Sequence, residues 1–204
     1  MTNDTADGSV AQVILGLENK DTRLICAMSL CLGGQQKHIQ LVISSMDKMI
    51  WDEVDDMSHA LRGFGSTVIP FLVPVARSSR KAPAACAMRA LGLIGGDEAI
   101  VVLTERLIFL PTKSEPIEAL VEIGTGAVPY LLSLTGHAKA DVRAMAVFGL
   151  GKIGDVAVLE HLEAMAGDDR SEKVRNIAGL AASWLRNGEF CGVDLRNCFG
   201  ELPS

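Results

Sequence analysis

The chain has 204 residues, of which 49% are hydrophobic but only 4% aromatic, with 20 glycines, a formal net charge of −6 and a mean hydropathy of +0.28. Disordered chains combine low hydrophobicity with high net charge, so this one is expected to fold. The acidic balance and the scarcity of aromatic rings argue against nucleic-acid modules, which need cationic grooves and stacking platforms, and no nucleic-acid partner is expected.

In chain order, residues 1–8 read as a polar, acidic N-terminal tail. It has neither the basic start nor the apolar run of a signal peptide, and a cytoplasmic location is expected. Helices are then predicted near 9–18, 21–33, 37–48, 50–63, 67–77, 82–94, 97–109, 115–123, 126–135, 140–153, 155–166 and 169–187, followed by a C-terminal tail or cap at 188–204. The longest apolar run, 67–76, spans about ten residues and carries Pro70 and Pro74, so no membrane span is expected. Cys26, Cys31, Cys86, Cys191 and Cys198 form no CxxC pair. The first three read as small hydrophobes in helices and the last two as reduced tail thiols, the only cysteine pair whose spacing allows a redox or metal role.

The dominant signal is an internal repeat. Gly34, Gly65, Gly95, Gly124 and Gly154 close successive copies at intervals of 31, 30, 29 and 30 residues, and a sixth copy, Lys173 to Arg186, is followed by Gly188. Each copy divides into two helical stretches. In the second stretch of the fifth copy, Val142, Ala146, Gly149, Leu150 and Ile153 share one face, and the closing glycine supplies a left-handed helix stop. Small residues such as Ala146, Gly149 and Gly151 are expected where helices cross closely, which accounts for the lack of aromatics.

The run Asp-Val-Arg-x-x-Ala-x-x-x-Leu-Gly-x-Ile-Gly at 141–154 resembles the short HEAT-like repeats named after phycobilisome lyases, as do the copies at 21–34 and 82–95. The resemblance spans residues 9–187 and implies an all-α fold, an α-α superhelix or solenoid of six short HEAT-like hairpins. It also implies structural roles for Asp141, Arg143, Arg23 and Arg175, the arginine bonding carbonyls or an acidic residue of a neighbouring repeat. Val54, Ala84 and Lys113 depart from the pattern at the arginine position. The family includes bilin lyases, deoxyhypusine hydroxylases and adaptor proteins. The His-Glu dipeptides that the hydroxylase uses to hold iron do not occur here.

The second helices of such hairpins line the concave surface. Taking the positions of Ala144, Met145, Phe148 and Lys152 as outward-facing, the same frame exposes Leu24, Ile25, Met28 and Leu32 in the first copy, Asp55, Asp56, His59 and Gly63 in the second, and Ala85, Cys86, Arg89 and Leu93 in the third. The fourth copy offers Ser114, Glu115, Glu118 and Glu122, and the sixth Asn176, Ile177, Leu180 and Trp184. The candidate partner-binding residues are therefore Asp55, Asp56, His59, Arg89, Glu115, Glu118, Glu122, Met145, Phe148, Lys152, Ile177, Leu180 and Trp184.

The middle of this surface is acidic and suits a protein partner with a basic segment, while Asp55 and His59, four residues apart, also have a metal-binding spacing. A solvated acidic face is the commoner reading, and no metal or cofactor is expected. The apolar terminal repeats suit either a cap made by Phe190, Val193, Leu195 and Phe199 or a homodimer. No GxSxG, P-loop, GxGxxG or HExxH motif occurs, and no catalytic residues are assigned. The expected function is a non-enzymatic protein-interaction or scaffold module. The alternative implied by the resemblance is a bilin lyase or chromophore-handling protein, with Cys86 or Asp55 meeting the tetrapyrrole.

Overall fold

The computed structural model describes residues 11–19, 21–32 and 35–188, and all regular structure among them is helical. Helix α1 covers 11–16. It is followed by α2 (Arg23–Leu32), α3 (Ile39–Ser45), α4 (Val54–Leu61), α5 (Ile69–Ala76), α6 (Lys81–Ile94) and α7 (Asp97–Phe109). Then come α8 (Glu115–Ile123), α9 (Val128–Leu134), α10 (Ala140–Ile153), α11 (Leu159–Asp168) and α12 (Glu172–Asn187). Four odd-numbered helices, α3, α5, α9 and α11, are entered through a short 3-10 turn.

The chain divides into two compact units, with the boundary inside α7 between Ala99 and Ile100. In the first, α4 lies between α2 and α6, while α5 packs on α3 and α6. Ile39, Met46, Met57, Leu61, Leu72 and Leu91 are fully buried there, each contributing about 1.5–3 kcal/mol by leaving water. In the second unit α10 is central: it touches α8, α9 and α12, and α11 packs on α12. Residues 142–151 of α10 are all buried. That matches their sequence, since a helix that is apolar all round is one covered all round.

The closing glycines recur as backbone devices. Gly65, Gly95, Gly124, Gly154 and Gly188 all have positive φ, whereas Gly34 lies outside the described residues. The expected left-handed stop is found at Gly154 (φ 79°, ψ 17°) and Gly188, but Gly65, Gly95 and Gly124 combine positive φ with a nearly extended ψ of −138° to −163°. After Gly154 the extended step is made by Asp155, whose carboxylate accepts the Ala157 N–H at 3.0 Å. At Gly65 and Gly124 the glycine makes that step itself and a 3-10 turn continues at once, a conformation essentially confined to residues without a side chain.

Three arginines fasten turns from an odd-numbered to an even-numbered helix, and all do so in one register. Arg23 Nε donates to Leu17 O at 3.2 Å, Arg143 Nη1 to His137 O at 2.9 Å and Arg175 Nη1 to Asp169 O at 2.7 Å, each to the carbonyl six residues earlier. Helix ends leave their last carbonyls without intrahelical partners, and these guanidinium groups supply some of the missing donors. Two of the three also reach an acid one copy further on: Arg23 meets Glu53 at 3.2 Å, and Arg143 grips Asp169 with two bonds of 2.8 Å. Where the pattern lacks arginine, Val54 and Ala84 are buried apolar residues instead. Asp141 bonds Lys173 at 2.8 Å, a structural role of the kind the motif implies.

Gly151 faces Ala181 so closely that an added Cβ would stand 2.7 Å from the Ala181 Cβ and 3.1 Å from its Cα. Gly179, exposed on α12, meets nothing nearer than Ala166 at 4.0 Å. Gly151→Ala is therefore expected to destabilise the fold by about 1–3 kcal/mol through overpacking, despite its better helix propensity. Gly179→Ala should stabilise by up to about 1 kcal/mol. Urea denaturation of the two variants measures both; equal effects would show that α10 and α12 are not in close contact.

Arg143→Ala would leave the buried Asp169 carboxylate without its cation, at a cost of about 3–5 kcal/mol. The Arg143 guanidinium, hydrogen-bonded to Asp169, holds its carboxyl below the usual carboxylate range, and the Ser171 N–H adds to this. The contribution of Asp169 is thus complete above the ordinary carboxylate pKa of about 3.9 and is lost as pH falls through the lowered folded value. Asp169→Asn should flatten the loss of stability below about pH 4, read from urea midpoints across that range; a slope as steep as that of the parent protein would remove the pair from acid unfolding.

Candidate functional site

The surface expected to meet a partner is assembled from the even-numbered helices, and each unit presents its own portion. On α4 the core side is formed by Val54, Met57, Ser58 and Leu61. The opposite side leaves Asp55, Asp56 and His59 exposed. From α6 the exposed Arg89 reaches across, its Nε 3.3 Å from the Asp55 carboxylate. An exposed pair of this kind contributes no more than about 1 kcal/mol. Its effect is to give Asp55 a partner. Among the described residues no group of three His, Cys, Asp or Glu is placed to hold a metal ion.

In the second unit Glu118 and Glu122 are exposed along α8, with Glu115 half-buried at the start of the helix. Glu115 and Glu118 occupy the first helical turn, where the unpaired N–H groups favour a carboxylate. Glu122 has no such support. Together with Glu118 it forms a like-charged pair four residues apart, an arrangement that costs a helix a few tenths of a kcal/mol.

The apolar part of the predicted surface requires correction. Met145, Phe148, Ile177 and Trp184 are buried. Phe148 meets Trp184 edge-on, with ring centroids 6.1 Å apart and an interplanar angle of 81°, and Lys152 places its ammonium 5.6 Å from the Phe148 centroid. Of the apolar candidates in the second unit only Leu180 is exposed; Lys152 is exposed as well. The outward frame fails on α10 because a helix covered on every side has no outward face. The capping residues expected at Phe190, Val193, Leu195 and Phe199, and the thiols Cys191 and Cys198, lie outside the described residues.

Cys86, the thiol considered for a chromophore, is fully buried, and burial raises its pKa far above that of an ordinary thiol. Cys31 is pushed up to about 12 by the same cause. Neither offers the exposed thiolate that covalent chemistry needs.

The first copy behaves as its sequence pattern suggests. Ile25, Met28 and Leu32 stand exposed on α2, and Leu24 is half-buried beside them. Two further exposed aromatics were not legible in the repeat frame, because they lie at the ends of helices: Trp51 in the turn before α4, and Phe109 at the end of α7, with the Arg106 guanidinium carbon 5.3 Å from its ring centroid. One stretch, Glu115–Leu134, is long and apolar enough by length and composition to cross a membrane. It is broken at Gly124 into α8 and α9, and its first half carries the three glutamates.

Residues 112–183 match the family model for HEAT repeats, a stretch that contains the Arg143–Asp169 turn and the glycine contact between α10 and α12. No curated protein matches the chain. The match over residues 112–183, with the helical architecture that precedes it, supports a HEAT-like repeat protein.

Proposed function

We propose that this chain is a non-enzymatic scaffold module, a solenoid of six short hairpins pairing α1 with α2 through α11 with α12, that holds another protein on the surface of its even-numbered helices. HEAT repeats generally mediate protein–protein interaction, and the similarity of residues 112–183 to them supports this reading. The recurrence of closing glycines at intervals near thirty residues, with an arginine anchor in the first, fifth and sixth copies, supports the short repeat type named after phycobilisome lyases. The lyase chemistry finds no support in the buried Cys86.

The observation that carries the reading is the recurrence of acidic side chains on the exposed sides of α4 and α8: Asp55 and Asp56 on one, Glu118 and Glu122 on the other, with the half-buried Glu115 at the start of α8. Exposed carboxylates of this kind offer electrostatic complementarity to a basic segment, which speeds encounter and selects the partner. Glu115→Lys/Glu118→Lys/Glu122→Lys, immobilised beside the parent protein and exposed to extract of the native host, is expected to lose at least tenfold of the principal captured protein. The parent complex should weaken with salt and the variant's residual binding should not. Equal capture by both proteins would place the partner elsewhere.

A further inference from the structure

The first unit carries an apolar row and an acidic row on adjacent helices of the same layer. On α2, Ile25, Met28 and Leu32 recur at spacings of three and four and stand 66%, 41% and 85% exposed. The side facing the core is made by Ala27, Leu30 and Cys31. Next to α2 packs α4, with Asp52 in the turn before it and Asp55, Asp56 and His59 along its exposed side. Arg89 occupies Asp55. Asp52 and Asp56 make no ion pair among the described residues. At the far end of the pair Gly63 lies against the Cys31 carbonyl, where an added Cβ would be 3.1 Å from that oxygen. This contact keeps the two helix ends close.

We propose that the exposed faces of α2 and α4 form a docking site for a basic amphipathic helix, whose apolar stripe covers Ile25, Met28 and Leu32 and whose Lys or Arg side chains meet Asp52 and Asp56. The inference rests on the reading of the even-numbered helices as a partner surface and names the partner's chemistry for one part of it. The i, i+3, i+7 spacing of the apolar row is the pattern that a partner helix matches with its own stripe. Packed helices lie about 8–10 Å apart, so a third helix about 10 Å wide resting on α2 touches the edge of α4 as well. A partner with an apolar stripe flanked by cations therefore satisfies both rows at once. A second copy of this chain does not: in a two-fold contact it presents the same apolar and acidic rows, with Arg89 already taken by Asp55, and so brings no cationic row to Asp52 and Asp56.

The test uses the full chain and a fluorescein-labelled peptide of leucine and lysine at helical period, about four turns long. Three comparison peptides accompany it: the same composition in scrambled order, the same pattern with glutamate for lysine, and a leucine-free lysine peptide. Anisotropy titration is expected to show the amphipathic basic peptide binding at least tenfold more tightly than each of the others.

Met28→Ser/Leu32→Ser, at exposed positions, should lower that affinity about tenfold, and Asp52→Lys/Asp56→Lys should lower it equally and remove its salt dependence. Glu118→Lys/Glu122→Lys should leave it unchanged. Circular dichroism of each variant confirms the fold, and Ile25→Ser serves as the alternative apolar variant. Equal binding of the scrambled peptide, or loss of binding in the α8 variant instead, overturns the proposal while leaving the scaffold reading intact. Sedimentation showing a dimer that Met28→Ser/Leu32→Ser dissociates also overturns it, in favour of a second copy. Loss of host-protein capture only in the α8 variant, with normal peptide binding, supports the proposal and makes α8 a separate site.

Discussion

A hairpin of two helices leaves carbonyl groups exposed to nothing at the turn where the first helix ends, and in this protein a guanidinium group from the second helix answers them. Arg23, Arg143 and Arg175 all bond the carbonyl six residues earlier, so the turn has one fixed geometry wherever the arginine occurs. Asp169 shows how the anchors are linked within the second unit. Its carboxylate holds Arg143 and its main-chain carbonyl holds Arg175, so a single residue belongs to two consecutive turns. Once these turns are set, the exits and entries of neighbouring helices are set with them, and within each unit the even-numbered helices lie side by side: α2, α4 and α6 in the first, α8, α10 and α12 in the second.

Close alignment of those helices then limits the side chains between them. The contact of Gly151 with Ala181 has no room for a methyl group, and the same layer holds the one ring pair that the described residues contain, Phe148 on Trp184. The low aromatic content is therefore a packing requirement of short helices stacked at small separations. The apolar share of the chain is delivered by Ala, Val, Leu and Ile, which fill narrow layers without forcing them apart.

Much of this was legible in the amino-acid order because the repeat is written in its glycines, and in half of the copies in an arginine as well. The glycine intervals locate the ends of even-numbered helices, and positive φ at Gly65, Gly95, Gly124 and Gly154 is the physical reason for them. Helix limits differ by a few residues where 3-10 turns lead into odd-numbered helices, since hydrophobic period does not separate the two helix types. Met145, Phe148, Ile177 and Trp184 were misread as surface because one outward frame was applied to every copy. On α10 the cue was already present: its apolar residues do not leave one side free. Asp169 as the partner of Arg143 was not legible, because an acid twenty-six residues away shares no helical face with it. Nor does the uniform period mark the division inside α7.

The ion pairs that tie one turn to the next also fix how far apart in sequence the tightest couplings lie. Arg23 and Glu53 are thirty residues apart, Arg143 and Asp169 twenty-six, and Lys173 and Asp141 thirty-two. Each therefore closes a loop of about one repeat and none has to wait for a distant part of the chain. Loop closure on that scale is entropically modest, and low average contact separation goes with rapid folding. An anchor that is first seen as a cap on stray carbonyls thus also makes assembly a sequence of short-range steps, in which each formed turn supplies a docking edge for the hairpin beside it.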